Sequence, residues 1–189
     1  FEVPASQLEE FSFQPGQYVN LETEINGENV RRSYSICASP NEDLAVAIKE
    51  LEGGVFSTHA NRNLSAGDQL EVFPPEGNFL LKQSEEELTY LAFAAGSAIT
   101  PILSMIKAVL KEGKHKFVLV YGNRSPEETM FLQELLSLQQ QHPERFFVEY
   151  IYSRKQAENS TFGRIERSTI NYVLKNKYAN VTFKQYLLC

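Results

Sequence analysis

The chain has 189 residues, 42% of them hydrophobic, which is enough for one large domain or two smaller domains that each bury a core. Its net charge of -6 makes it a poor general binder of nucleic acid, because that binding depends on neutralising phosphates with many Lys and Arg side chains. No apolar run is long enough to span a membrane. Because the chain as a whole is negatively charged, any anion that it binds must be met by a local cluster of positive charge.

The cysteine usage points to a reducing setting. Cys37 and Cys189 are too few for a disulfide framework, a four-thiolate metal site or a four-cysteine iron–sulfur cluster. We assign no metal ligands, and the two cysteines favour a reducing, cytoplasmic setting. No basic segment followed by an apolar one opens the chain, so we identify no secretion signal. Both ends look cut, so we expect a first strand and a C-terminal end to lie beyond this sequence.

Residues 1–84 are predicted to form short strands joined by turns. The runs PGQYVNLE, RRSYSI, LAVAIKEL and DQLEVF are apolar or alternating, and turn-type stretches such as NGE and SAGD separate them. Short strands at close spacing favour an antiparallel β-barrel or a sandwich.

Residues 85–189 show a different period. The buried-strand patterns LTYLAFAAG, HKFVLVYGN and RFFVEYIYS alternate with the helical patterns SAITPILSMIKAVLKEGK and SPEETMFLQELLSLQQQHPE, the latter with Ser125 as its predicted N-cap. A further helix, ERSTINYVLKNKY, and a last strand, FKQYLLC, complete the series. Alternating strands and helices predict a doubly wound α/β domain with a parallel sheet, and we place the domain boundary at residue 84.

Ligands of such sheets bind at the carboxyl ends of the strands. Gly96 ends the first of these strands, and Pro101 lies in the first turn of the following helix, whose free N–H groups would face a diphosphate. An ordinary strand-to-helix turn is the alternative. At the ends of the next two strands, Arg124, Ser153 and Arg154 suit a phosphate monoester, because a guanidinium grips phosphate with two hydrogen bonds. Ordinary surface arginines remain the alternative there.

Two segments of the first half suit an anionic, aromatic ligand. RRSYSI (residues 31–36) joins two arginines to a tyrosine, although an edge strand with a charged face would have the same pattern. GGVFS (residues 53–57) would let backbone N–H groups approach a ligand closely, although a Gly–Gly hairpin turn is equally consistent with it.

Taken in order, these motifs resemble the ferredoxin–NADP reductase-like flavoprotein reductases. PGQYV, RSYS, GGVFS and SAGDQLEVFPPEGNF resemble the flavin-binding barrel of that family, and AAGSAITPILSM, YGNRS, YSR and LLC resemble its nicotinamide-nucleotide domain. The branch with the greatest similarity comprises the reductase components of multicomponent oxygenases, of the phenylacetyl-CoA epoxidase reductase type. That branch usually carries a plant-type [2Fe–2S] domain, which this chain lacks and which we expect beyond its C-terminus.

The resemblance implies FAD as the flavin, with FMN as the alternative. It implies that Arg32 pairs with the flavin phosphates, that Tyr34 packs against the isoalloxazine and that the Ser35 hydroxyl points toward flavin N5, while Arg31 stays a solvated neighbour. The full flavin-binding set that it implies is Arg32, Ser33, Tyr34, Ser35, Ile36, Lys49, Gly54, Val55, Phe56 and Ser57.

The resemblance also implies NADPH as the reductant, with NADH as an alternative. Ser153 and Arg154 match the positions that hold the 2′-phosphate, and Cys189 matches a cysteine beside the nicotinamide, although an ordinary buried cysteine is the alternative. The full nucleotide-binding set is Gly96, Ser97, Thr100, Pro101, Asn123, Arg124, Ser153, Arg154 and Arg164. Ser35, Thr100 and Cys189 are the expected catalytic residues.

The expected activity is hydride transfer from NADPH to FAD, followed by single-electron transfer to a ferredoxin-type iron–sulfur domain that feeds an oxygenase component. A haem or a free ferredoxin is the alternative acceptor, and a flavin-binding protein that does not oxidise nicotinamide is a further alternative. Ala98 keeps that last alternative open, since the family usually has Gly there. An added methyl group could push the nucleotide outward, or the position could demand a backbone angle that Ala dislikes. No histidine is needed as a base, so His59, His115 and His142 are expected at the surface.

Overall fold

The computed structural model describes residues 1–189, and its N-terminal half (residues 1–84) is organised around an antiparallel sheet. The strands are β1 (Tyr18–Ile25), β2 (Glu28–Ser35) and β3 (Glu71–Val72), in the spatial order β2-β1-β3, and helix α1 (Val55–Arg62) lies between β2 and β3 in the chain. Asn26 and Gly27 connect β1 to β2 with positive φ angles of 55° and 82°. Such a two-residue Asn-Gly loop matches the twist of the strands that it joins and so fixes the hairpin register.

The C-terminal half (residues 85–189) contains a parallel sheet of five strands in the order β7-β6-β5-β4-β8. Its strands are β4 (Thr89–Ala95), β5 (Lys116–Asn123), β6 (Phe146–Tyr152), β7 (Ser160–Phe162) and β8 (Gln185–Leu188). Its helices are α2 (Ile99–Glu112), α3 (Leu132–Gln141) and α4 (Arg167–Tyr172), which continues as a π-helical turn over Val173–Lys177. The predicted α/β domain and the antiparallel N-terminal architecture are both confirmed.

The two halves have cores of different size. The larger core joins α2 and α3 to one face of the parallel sheet and contains twenty buried residues, among them Ile102, Ile106 and Tyr121. The core of the N-terminal half contains only six, including Ile36 and Phe56. Because apolar burial is the main stabilising contribution, the parallel-sheet half supplies most of the intrinsic stability.

Three predictions for the N-terminal half need correction. LAVAIKEL forms no strand; it makes one bridge, Val46 to Ile36, and then turns away toward residue 51. Of DQLEVF, only Glu71 and Val72 join the sheet. GGVFS is not a hairpin: Gly53 and Gly54 lie in a turn that leads into α1, and Val55 to Ser57 are the first residues of that helix. Phe56 is buried in the small core and Ala60, one helical turn later, packs against that core, so an i, i+4 spacing was the missed signal.

The predicted helix from Ser125 is also broken. A 3₁₀ turn at Pro126–Glu128 comes first, and α3 begins only at Leu132 after Phe131 with a φ of 58°. Ser125 makes no side-chain cap; instead, the Thr129 hydroxyl donates to the Ser125 carbonyl. This local hydrogen bond competes with helical continuation.

His115 does not lie at the surface, where it was expected. It is buried, its Nδ1 accepts a hydrogen bond from the Leu88 N–H at 3.0 Å, and its ring packs edge-on against Tyr90. The predicted last strand is confirmed as β8, whereas β7 was not predicted. No helix of the structure combines the length and the apolar character needed to cross a membrane.

Candidate functional site

A cleft of about 360 Å³ brings the two motifs of the N-terminal half together. Arg32, Ser33 and Tyr34 of β2 line one side, and Gly53 to Ser57 with Leu51 line the other. The rings of Tyr34 and Phe56 lie 5.5 Å apart, which ties β2 to the start of α1. RRSYSI is therefore a strand, as one alternative predicted, but a strand whose end borders a cleft.

Strand alternation divides RRSYSI between two faces. Ser33 donates to the Asn20 side chain at 2.6 Å and Arg31 pairs with Glu22 at 2.7 Å, each with the residue opposite it on β1. Arg31 also stacks on the Phe73 ring at 3.7 Å, so it is not merely solvated, as had been expected. Since successive side chains of a strand point to opposite faces, Arg32 and Tyr34 point the other way.

The start of α1 offers backbone donors to this cleft. The N–H groups of Val55, Phe56 and Ser57 have no backbone or side-chain acceptor, as is usual for the first residues of a helix. The N-terminal end of a helix also carries partial positive charge. These three amides therefore form a site suited to an anion.

Two expected donors are already used within the protein. The Gly54 N–H donates to the Leu51 carbonyl at 2.9 Å. The Ser57 hydroxyl accepts from the Leu51 N–H at 3.2 Å and donates to the Gly54 carbonyl at 3.4 Å. Both groups stabilise the turn before α1. Of the atoms assigned to a diphosphate, the Gly54 amide and the Ser57 hydroxyl are thus committed, while the Ser57 amide is not.

Arg32 and Tyr34 supply the side-chain chemistry. One N–H of Arg32 donates to the Arg31 carbonyl at 2.7 Å, which leaves the other guanidinium donors available. Arg32 and Tyr34 line the same side of the cleft. Burial raises the pKa of Tyr34, and the charge of Arg32 opposes that shift. An exposed cation, a half-buried aromatic ring and three unpaired amides in one cleft fit the diphosphate and ring of a flavin dinucleotide.

The remaining members of the expected flavin set surround this cleft unequally. Ser35 ends β2 opposite Tyr18 and is half-buried, whereas Ile36 is fully buried in the small core. Lys49 is exposed on the segment before Leu51 and is not among the residues that line the cleft.

A second candidate site begins where β4 ends. Gly96 has a φ of 56° and opens a 3₁₀ turn, Gly96–Ala98, that leads into α2. Ser97 is exposed, while Thr100 and Pro101 are buried in the first turn of α2, where the Thr100 hydroxyl donates to the Ser97 carbonyl at 3.1 Å. Pro101 in the first helical turn agrees with the prediction.

Tyr121 of β5 stabilises this turn through a hydrogen bond. Its hydroxyl donates to the Gly96 carbonyl at 2.8 Å, and the side chain is fully buried. Burial raises the pKa of Tyr121 far above its usual value, so the phenol keeps its proton and remains a donor. Sequence analysis missed this residue because nothing in YGNRS indicates which backbone group the tyrosine reaches.

Arg124, Ser153 and Arg154 meet at the carboxyl ends of β5 and β6, as predicted. The Ser153 N–H donates to the Asn123 carbonyl at 3.0 Å and the Arg154 N–H donates to the Arg124 carbonyl at 2.9 Å. Arg124 is paired with Glu128 at 3.4 Å, whereas Arg154 is exposed and takes part in no ion pair. The Nδ2 of Asn123 is buried without an acceptor.

Arg164 and Cys189 lie at the margins of this region. Arg164 is exposed after β7, and its carbonyl accepts from the Thr169 hydroxyl at 2.8 Å. Cys189, the last residue of the sequence, follows β8 and is exposed, and its N–H donates to the Phe93 carbonyl at 3.1 Å.

The backbone at Ala98 removes one concern about nucleotide binding. Its φ of -63° and ψ of -5° are ordinary helical values that any L-residue adopts. The position therefore does not demand a conformation that Ala dislikes, and the left-handed angle of this turn falls on Gly96 instead.

Comparison with known proteins agrees with these features. The family described as "Oxidoreductase FAD-binding domain" matches residues 1–80, and the family described as "Oxidoreductase NAD-binding domain" matches residues 93–189. The chain is 41% identical over 171 residues to a component of the 1,2-phenylacetyl-CoA epoxidase of Escherichia coli (strain K12), covering 88% of this chain and 48% of that protein. It is 37% identical over 151 residues to the Rhodococcus rhodochrous "3-ketosteroid-9-alpha-monooxygenase, ferredoxin reductase component", covering 78% and 42%.

Among solved structures, a ferredoxin NADP+ reductase from Neisseria gonorrhoeae with bound FAD and NADP superposes with a TM-score of 0.71 at 21% identity, covering 95% of this chain and 74% of that one. This likeness concerns the fold. The class is therefore that of two-domain oxidoreductases with an FAD-binding and an NAD-binding domain. Within that class, the chain belongs to the ferredoxin–NADP reductase-like flavoprotein family. It spans about half the length of the curated relatives that it matches.

Proposed function

We propose that this chain transfers hydride from NADPH to FAD and delivers single electrons to a ferredoxin-type iron–sulfur acceptor that feeds an oxygenase component. The cleft that joins Arg32, Tyr34 and the unpaired amides of Val55, Phe56 and Ser57 is the observation that carries this proposal. The flavin would supply the redox chemistry, accepting a hydride and releasing single electrons.

On the flavin side, the chain's residues bind and orient. We assign the diphosphate to the Arg32 guanidinium and to the three free amides at the start of α1, because both provide fixed positive charge at one place. Tyr34 would offer its ring as a packing surface for the isoalloxazine. Ser35, next along β2, would place its hydroxyl toward the position where hydride arrives.

On the nucleotide side, the turn Gly96–Ala98 and the start of α2 would hold the diphosphate and the nicotinamide. We assign the 2′-phosphate of NADPH to Ser153 and Arg154, because Arg154 is exposed and unpaired. Arg124 is a weaker candidate, since binding phosphate would compete with its ion pair to Glu128. Thr100 and Cys189 would border the nicotinamide, and Asn123 and Arg164 complete the proposed nucleotide set.

The electron acceptor, the domain boundary and the cellular location are also proposals. The two curated relatives are named as part of an epoxidase and as a ferredoxin reductase component of a monooxygenase, which supports an oxygenase system as the destination of the electrons. We propose residue 84 as the boundary between a flavin domain and a nucleotide domain, and a cytoplasmic location consistent with the two free cysteines.

An anaerobic titration of the FAD-loaded protein with NADPH, and separately with NADH, tests the proposal by following the absorbance of the flavin. Rapid bleaching, faster with NADPH, is the expected result. Bound flavin that neither nucleotide bleaches would instead establish the alternative of a flavin-binding protein without nicotinamide oxidation. Adding a [2Fe–2S] ferredoxin or a haem protein to the reduced enzyme then discriminates between acceptors.

A further inference from the structure

The two halves of the molecule meet on α2, and one buried hydrogen bond lies at the centre of that contact. The Ser104 hydroxyl donates to the carbonyl of Ala38 at 2.5 Å, and the Ser104 side chain has no exposed surface. Ala38 belongs to the N-terminal half and Ser104 to the C-terminal half. A buried hydroxyl with a single, short, directional partner fixes position more sharply than apolar contact does.

A second contact lies one helical turn further along α2. The Lys107 ammonium donates to Glu42 at 3.2 Å and pairs with Glu134 of α3 at 2.8 Å, while only 18% of the lysine side chain is exposed. Burial alone would lower the pKa of Lys107, but the hydrogen bonds and charges of Glu134 and Glu42 outweigh it and raise that pKa. The lysine therefore remains charged and links the two halves.

Met105, which lies on α2 between Ser104 and Lys107, packs against the N-terminal half. A Cβ placed on Gly16 would lie 2.4 Å from the Met105 methyl group, so the backbone of the N-terminal half approaches α2 as closely as a glycine allows. Cys37 is buried in the same large core as Met105. Residues 37–42, which we call the docking segment, are thus held on α2 by packing, by Ser104 and by Lys107.

The docking segment continues β2 directly. Ala38 lies three residues after Ser35, at the end of the strand that borders the flavin cleft. Ser104 lies four residues after Thr100, about one turn of α2 from the nucleotide turn. The Ser104 hydrogen bond thus links two residues that lie only three and four positions from the proposed cofactor sites.

Resting on the proposed function, we infer that Ser104 is a positioning residue that sets the distance and angle between the nicotinamide and the flavin. Lys107 reinforces the same placement from the next turn of α2. Neither residue lines the flavin cleft, so each acts on the relative position of the two sites and not on FAD affinity. Hydride transfer is sensitive to small misplacements of the reacting atoms, and a displacement of about 1 Å costs up to about a hundredfold in rate.

The experiment compares Ser104→Ala, Lys107→Met and Ser137→Ala, each loaded with FAD. Ser137 is an exposed serine on α3 whose hydroxyl only accepts from Gln141, so its variant is the matched control. Three quantities are measured: the dissociation constants of FAD and NADPH, the rate of flavin reduction at saturating NADPH, and the long-wavelength charge-transfer absorbance of the nicotinamide–flavin pair. Amide hydrogen exchange of the docking segment is followed in the protein without cofactors.

For Ser104→Ala we expect reduction slowed about tenfold, a weaker charge-transfer band, faster exchange of residues 37–42, and dissociation constants within about threefold of the wild-type values. Lys107→Met should show the same pattern with a reduction rate about threefold lower, and it carries the test alone if Ser104→Ala does not fold. Ser137→Ala should match the wild type.

Two outcomes would overturn the inference alone. One is wild-type reduction and charge-transfer absorbance in both Ser104→Ala and Lys107→Met while the wild type itself is reduced normally. The other is a rate lost only in proportion to weakened nucleotide binding, which would make the contact one that supports a binding site. A wild-type protein that binds FAD but is reduced by neither nucleotide would overturn the proposed function, and this inference with it.

Discussion

In the N-terminal half, the charge of Arg32 lies in the same cleft as the three free amides at the start of α1. In the C-terminal half, the turn that opens α2 follows β4, while the charges of Arg124 and Arg154 lie on an exposed rim after β5 and β6. Both halves present the start of a helix to an anion, but only the first adds a cation at the same place. The first arrangement suits a resident cofactor, and the second suits a ligand that must leave after each turnover.

The two hydrophobic cores also differ in how closely they depend on the proposed cofactor sites. The six-residue core of the N-terminal half includes Phe56 of α1, so the helix that would bind the flavin diphosphate also closes the core. The twenty-residue core, to which the N-terminal half contributes only Cys37, is built around the parallel sheet and α2 and includes no residue of the exposed rim. A ligand that binds only the folded state stabilises it by mass action. We therefore expect FAD to stabilise its half more than NADPH stabilises the other.

Replacing Arg32 should have the largest effect on cofactor binding, because it removes the cation that distinguishes the flavin cleft from the nucleotide site. A hydrogen bond to a charged group contributes about 1.5–3 kcal/mol, so Arg32→Ala should weaken FAD binding by roughly 10- to 100-fold. Fluorescence titration of the apoprotein with FAD measures this directly. Arg31→Ala is the matched control, because Arg31 faces Glu22 and Phe73 on the opposite side of the strand and should leave FAD affinity nearly unchanged. Equal losses in both variants would show that the strand, and not the Arg32 charge, matters.

Replacing Arg154 should affect only the exchangeable ligand. Arg154→Ala should raise the KM for NADPH about tenfold, because an exposed phosphate contact contributes toward the low end of the range for charged hydrogen bonds, and should leave the KM for NADH nearly unchanged. Steady-state kinetics with each nucleotide give both values. The assignment of the 2′-phosphate is wrong if the two nucleotides suffer alike.

Gly54 tests the backbone part of the flavin cleft. A Cβ at this position would lie 2.4 Å from the Ser57 hydroxyl, which is the group that holds the turn before α1. Gly54→Ala should therefore tilt the free amides and weaken FAD binding about fivefold, a loss near 1 kcal/mol. Gly67→Ala is the control: it lies in open space at a φ of +98°, so it should lower the melting temperature through backbone strain without altering FAD affinity. If Gly54→Ala binds FAD normally, the turn does not align the amides.

These residues also mark how far the sequence could predict the site. Strand and helix periodicity located the carboxyl ends of β4 and β6, and hence Gly96 and Arg154, because ligands of an open α/β sheet bind at those ends. The role of Arg32 came instead from the resemblance to the reductase family. Side-chain alternation could have separated Arg31 from Arg32, but only once the strand register was known. Which donors were already used within the protein, as at Gly54 and Ser57, depends on tertiary hydrogen bonds that no local pattern records. The Ser104–Ala38 bond is of the same kind, since it joins residues 66 positions apart.

Replacing Ala98 should give the smallest effect. The substitution tests whether the turn before α2, unlike the turn before α1, works equally well with alanine and with glycine. From the sequence, the absence of Gly here suggested impaired nucleotide binding. The observed φ of -63° shows that the residue is already helical, and the positive φ lies at Gly96. Ala98→Gly should therefore change the KM for NADPH by less than about twofold, with a slight loss of stability because Gly costs about 0.5–1 kcal/mol relative to Ala in a helical backbone. A marked fall in KM would mean that the Ala98 methyl group itself obstructs the nucleotide. The family would then prefer glycine here because the ligand needs the space, and not because the backbone needs a special angle.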